Sequence, residues 1–218
     1  MRIHPAGYSV ILKTLFILLI INLLVCFIIG ISIVISVVAF VSCLLLLFVL
    51  RFFRYPNRVP PTLDDNQVLC PADGKIVTIE EIDYSGEKRV QVSIFMSCWN
   101  VHINWLPISG TIKQILHFDG KFTRAVTPKS SDLNEHTAVT VQTSNGETVI
   151  VKQIAGVVAR RIITYIKQDE QHNIGDELGF IRFGSRVDIL LPKSYNVKVG
   201  LGQKVIGRNT IIAERKLN

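Results

Sequence analysis

Residues 14–50 hold 37 consecutive positions without a charged side chain, dominated by Ile, Leu, Val and Phe. A helix that crosses a bilayer needs about 20 apolar residues, so the run has the length for two. Gly30 and Ser32 interrupt it near its middle, which predicts a helical hairpin turning there. The run exceeds a signal-peptide core and lacks an Ala-x-Ala exit, so residues 1–50 are expected to be a retained membrane anchor. Residues 51–66 follow as an interfacial linker: arginines and aromatic rings suit the head-group level, and Pro56, Pro60 and Pro61 block helix continuation.

From Val68 the pattern changes to short alternating runs broken by Gly, Pro, Asn and Asp. Strands are predicted at 75–82, 89–95, 101–105, 111–117, 137–143, 148–153, 161–166, 178–183, 187–191, 197–199 and 210–213. Asn145-Gly146 between two alternating runs predicts a hairpin. Sustained helical periodicity is scarce, so residues 67–218 are expected to form one mainly β domain. A weak repeat adds detail. Pro71-Ala-Asp-Gly-Lys-Ile-Val-Thr-Ile79 aligns with Pro107-Ile-Ser-Gly-Thr-Ile-Lys-Gln-Ile115, and Gly175-Asp-Glu-Leu-Gly179 loosely with Gly202-Gln-Lys-Val-Ile-Gly207. Duplicated turn-strand units predict a compact sandwich or barrel-like body.

Charge refines this. The formal net charge is +7, and Arg2, Lys13, Arg51, Arg54 and Arg58 flank the apolar run. From Val59 onward nineteen basic residues face seventeen acidic ones, a balance that argues against nucleic acid and for a basic collar at anionic head groups. Basic residues on both sides of the run favour a hairpin with both ends in the cytoplasm. Cys26, Cys43, Cys70 and Cys98 show no metal-ligand spacing and are expected to be reduced thiols.

Three stretches carry candidate chemistry: Pro71-Ala-Asp-Gly74, Phe95-Met-Ser-Cys-Trp-Asn-Val-His-Ile-Asn104 and Phe183-Gly-Ser-Arg186. Alone, Gly-Ser is an ordinary turn, His102 a hydrogen-bonded strand histidine and Asp73 a turn aspartate. Together, Ser185 is a candidate nucleophile, His102 a candidate base and Asp73 the group that orients it. In this order and rough spacing, the chain from Arg51 onward resembles the short bacterial form of the pyruvoyl-dependent phosphatidylserine decarboxylases.

The resemblance implies a proenzyme in which Asp73 and His102 activate Ser185 for cleavage between Gly184 and Ser185. The two fragments would stay associated, and Ser185 would become a pyruvoyl group. That group would form a Schiff base with phosphatidylserine and release phosphatidylethanolamine, with neither metal nor pyridoxal phosphate. His102 would then protonate the carbanion. Some longer relatives carry a second histidine where this chain has Trp99, which puts any two-histidine mechanism in doubt. His117, His136 and His172 fit no pattern. Lys113, Lys121, Arg124, Arg160, Arg161 and Arg186 are candidate partners for a lipid phosphate. The implied setting is the inner membrane, with the catalytic body on the cytoplasmic side and a homo-oligomer allowed. Two other functions fit the same pattern: a non-enzymatic lipoyl-like β module on a membrane tether, or the same chemistry on another serine-headed lipid.

Overall fold

A computed structural model describes residues 2–61, 66–120, 134–156, 162–182 and 185–216, with Ser185 described through its main chain. The chain divides into two compact units, Met1–Pro56 and Asn57–Asn218.

The first unit contains β1 (Arg2–Ile3), a 3-10 turn (Pro5–Gly7), α1 (Tyr8–Ile28), α2 (Ser32–Phe52) and β2 (Arg54–Tyr55). Both helices are long and apolar enough to cross a membrane. They are apolar on every side, as a lipid-facing helix must be, and most of their large side chains are exposed. Gly30 turns the chain between them at a φ of +62°, a conformation open to glycine at little cost. Across the pair, Asn22 Nδ2 donates to Ser42 Oγ at 2.9 Å. β1 pairs antiparallel with β2, and the His4 N–H donates to Phe53 O at 2.8 Å. Entry and exit of the hairpin therefore lie together at one end.

The second unit is β-rich: β3 (Gln67–Leu69), β4 (Gly74–Tyr84), β5 (Glu87–Met96), β6 (Ile103–Trp105), β7 (Gly110–Phe118), β8 (His136–Gln142) and β9 (Thr148–Ile154). After these come β10 (Ile162–Thr164), β11 (Gln171–His172), β12 (Glu177–Ile181), β13 (Ser185–Pro192), β14 (Tyr195–Val197), β15 (Lys204–Val205) and β16 (Ile211–Arg215). Eight of them form an antiparallel sheet in the order β11-β7-β8-β9-β13-β5-β4-β15, which curls into a half-barrel. Two three-stranded sheets, β10-β12-β6 and β14-β16-β3, accompany it. The main core lies on the sheet face carrying Ile76, Ile94, Met96, Ile112, Val141, Val151 and Val187.

The duplication read in the sequence is present in three dimensions. Gly74 opens β4 and Gly110 opens β7, and both strands shift register two residues later, at Ile76/Thr78 and Ile112/Gln114. Each is second from an edge of the large sheet, flanked by a two-residue strand, β15 or β11. The turn glycines of the looser repeat, Gly175 and Gly202, both sit at a φ near +80°.

Candidate active site

β13 is an inner strand of the large sheet, and its first residue is Ser185. It pairs with β5 along its whole length, Ser185 opposite Met96, and with β9 from Arg186 to Leu190. Alternating Val187, Ile189 and Leu191 seat it in the core. On the opposite face Arg186 is fully buried. Its Nε donates to Asp188 Oδ1 at 2.6 Å, and its Nη2 to Ser93 Oγ at 2.7 Å and to Asp188 Oδ2 at 3.1 Å. This internal ion pair fixes the residue after Ser185 and takes Arg186 out of the set of surface phosphate partners. Lys113 is exposed on β7, whereas Lys121, Arg124, Arg160 and Arg161 lie outside the described residues, as do Phe183 and Gly184.

His102 lies between β5 and β6 and is fully buried. Its Nδ1 is 3.1 Å from Asn100 O. A carbonyl oxygen only accepts, so Nδ1 carries the proton and Nε2 is the basic nitrogen of the neutral ring. The carbonyl oxygen of His102 accepts the N–H of Ile181 at 3.2 Å, and its ring lies 6.5 Å from that of Phe180. Both contacts anchor His102 to β12, the strand that leads toward Ser185.

Asp73 closes the turn before β4 and is buried. Gly74 lets this turn press against β5, because a Cβ there would collide with Phe95 O and lie 2.8 Å from Ile94 Cγ2. Lys75 pairs with Phe95, which pairs with Arg186, so Asp73 and Ser185 lie at the same end of β4 and β13 with β5 between them. The partners of Asp73 were not anticipated. Arg58 Nη1 and Nη2 donate to its two carboxylate oxygens at 2.5 and 2.8 Å, and the Gly207 N–H donates to Oδ1 at 2.9 Å. Arg58 also donates to Gly207 O at 2.9 Å and stacks 5.2 Å from the centre of the Trp105 ring. Arg58, expected in the head-group collar, is thus the internal counter-ion of Asp73. The proton on Nδ1 of His102 is held by Asn100 O.

The four cysteines are free thiols. Cys70, three residues before Asp73, donates to Ala72 O at 3.1 Å, and burial pushes its thiol up to about 12. Trp99 is exposed in the turn before His102. Among the other histidines, His136 stacks on Phe118 at 4.6 Å, His117 faces Asp119 and Glu135, and His172 lies between Glu170 and Asp176.

Residues 45–213 match the family model described as phosphatidylserine decarboxylase. Similarity to curated proteins extends over nearly the entire chain. A phosphatidylserine decarboxylase proenzyme of Parabacteroides distasonis is 45% identical over 216 residues, covering 98% of each chain. The proenzyme of Cytophaga hutchinsonii is 46% identical over 218 residues, covering 98% of this chain and 99% of its own. That of Bacteroides fragilis is 44% identical over 218 residues, with 99% and 96% covered. With Ser185 opening an inner strand, and Asp73 before β4 and His102 between β5 and β6 both buried, the chain belongs to the phosphatidylserine decarboxylase family.

Proposed function

We propose that this protein is a membrane-anchored proenzyme that cuts itself between Gly184 and Ser185 and then decarboxylates phosphatidylserine to phosphatidylethanolamine. The observation that carries this is end-to-end similarity to proteins named phosphatidylserine decarboxylase proenzymes. The strand start that would carry the carbonyl-bearing group fits it, because Met96 opposite Ser185 on β5 and Arg186 next to it on β13 are fully buried.

His102 takes the hydroxyl proton of Ser185 on Nε2 as Ser185 Oγ adds to the carbonyl carbon of Gly184. The C–N bond then breaks, the nitrogen gains a proton, and an ester replaces the amide. Loss of the Ser185 α-proton expels the Gly184 carboxylate by β-elimination. Water converts the resulting dehydroalanine to a pyruvoyl group with release of ammonia. That group supplies an electron sink for the pair left behind when the substrate loses carbon dioxide. His102 returns a proton to the carbon that lost the carboxylate. Asp73, clasped by Arg58 and Gly207, holds the turn at the start of β4, at the same end of the sheet as Ser185. The apolar helices keep the enzyme at its lipid substrate. Basic residues at both ends of the hairpin favour the cytoplasmic side of the inner membrane for both termini and the catalytic body.

The test is the intact mass of the purified protein. Two fragments are expected, one ending at Gly184 and one spanning residues 185–218 without a free amino terminus. Ser185→Ala and His102→Ala should each leave a single uncut chain. A wild-type protein that stays whole, with Ser185 intact, would defeat the proposal.

A further inference from the structure

A row of polar side chains crosses the start of β13. Thr164 Oγ1 donates to Gln153 Oε1 at 3.2 Å, Gln153 Nε2 donates to Asn104 Oδ1 at 2.8 Å, and Asn104 Nδ2 lies 3.6 Å from Met96 Sδ. Gln153, Asn104 and Met96 are fully buried. Strand register fixes where this row runs. Gln153 on β9 pairs with Val187, and Met96 on β5 pairs with Ser185. Neighbouring strands lie about 4.8 Å apart, so β9 and β5 stand about 10 Å apart with β13 between them. A side chain that touches both Gln153 and Met96 therefore lies over the first residues of β13.

The orientation of Asn104 follows from its neighbours. The Thr164 hydroxyl occupies Gln153 Oε1, so Nε2 faces Asn104 and captures Oδ1, which leaves the amino group toward Met96. Gly179 makes room for this arrangement, since a Cβ there would lie 3.0 Å from Gln153 Nε2 and collide with Ile163 O. Asn104 Nδ2 has two hydrogens to donate, yet among the described residues its acceptor is one thioether sulfur, a weak one. A fully buried donor so poorly matched calls for a functional explanation.

We propose that Asn104 is a further catalytic residue of self-cleavage, donating from Nδ2 to the scissile carbonyl oxygen as that oxygen becomes negative. This rests on the self-cleavage proposed above. The scissile carbonyl is bonded to the Ser185 nitrogen, and Asn104 overlies the strand that Ser185 begins. When Ser185 Oγ bonds to the carbonyl carbon, the π pair moves onto oxygen and the hydroxyl proton passes to His102. A donor held by Gln153 and poorly satisfied beforehand gains its strong acceptor only at that moment. Such an interaction lowers a barrier without stabilising the ground state.

Fragment appearance, followed by mass with time, tests this in wild type, Asn104→Leu and Asn104→Asp, with thermal melts alongside. Asn104→Leu should remain folded and slow cleavage by roughly 10²–10³-fold, the usual loss for one oxyanion donor. Asn104→Asp presents acceptors at neutral pH and should be slow there. Its rate relative to wild type should rise as pH falls and the carboxyl gains a proton to donate, while Asn104→Leu shows no such recovery. Either variant maturing at the wild-type rate overturns the role. So does loss of folding in both, which would assign Asn104 to the core alone. A wild-type chain that never cuts defeats self-cleavage itself, a result distinct from slow variants beside a cutting wild type.

Discussion

Asp73 and Arg58 form the charged contact whose removal says most about the site. Both side chains are largely withdrawn from water, at 10% and 16% exposure, and they meet through two hydrogen bonds. Removing one partner of such a pair leaves the other charge uncompensated, at a cost of about 3–5 kcal/mol. At about 2–4 °C per kcal/mol for a body of this size, Asp73→Ala should lower the melting temperature by roughly 10 °C. Asp73→Asn keeps the shape and the acceptor for the Gly207 N–H but weakens the ion pair. If Asp73 serves the site by holding its turn, Arg58→Ala should slow fragment appearance as Asp73→Asn does, and Arg58→Lys should restore part of the rate. Normal maturation of Arg58→Ala beside a slow Asp73→Asn would instead mean that Asp73 acts on His102 directly. The sequence revealed Asp73 because it lies in a motif. It concealed Arg58, which lies 15 positions away in a stretch whose composition reads as a membrane collar. Asn104 and Gln153, 49 positions apart, were equally hidden, since neither spacing nor residue type marks a contact made across strands.

At the scale of elements, legibility followed length and alternation. The long strands β4, β5, β7, β8, β9 and β13 announce themselves through alternating apolar residues. The Asn145-Gly146 hairpin forms where its dipeptide predicts, with Gly146 at a φ of +85°. The predicted strand at 101–105 begins only at Ile103, because the side chain of His102 reaches back to Asn100 O and turns the chain there. β3, β11 and β15 escaped prediction because two or three residues cannot display a period. The sheet edge beside them supplies their pairing. The helices were legible because an unbroken apolar run leaves few other structures. Their pairing yields a prediction about topology. β1–β2 pairing gathers the two ends of the hairpin, so reporters fused at the N terminus and after Asn218 should be labelled from the same side of the membrane. Labelling from opposite sides would replace the hairpin with a single span.

For the molecule as a whole, the proposed cut falls at a seam. The large sheet reads as two similar halves, β11-β7-β8-β9 and β15-β4-β5-β13, meeting where β9 and β13 pair. The preceding described strand, β12, belongs to a different sheet, so among the described residues the cut before Ser185 falls between two sheets and not within a hairpin. The fragment of residues 185–218 would keep β13 between β5 and β9, β15 on β4 and β16 on β3. It contributes Val187, Ile189, Leu191, Tyr195, Val199, Val205, Ile212 and Ala213 to the main core. Each large buried apolar side chain is worth about 1.5–3 kcal/mol, so together they hold the fragment with on the order of 10 kcal/mol before its hydrogen bonds are counted. The two fragments should therefore co-elute as one species on size exclusion in mild detergent and melt in one cooperative transition. They should separate only in strong denaturant. Loss of the small fragment during native chromatography would contradict this, because it would mean that the continuous chain, rather than the sheet and core, keeps β13 in place.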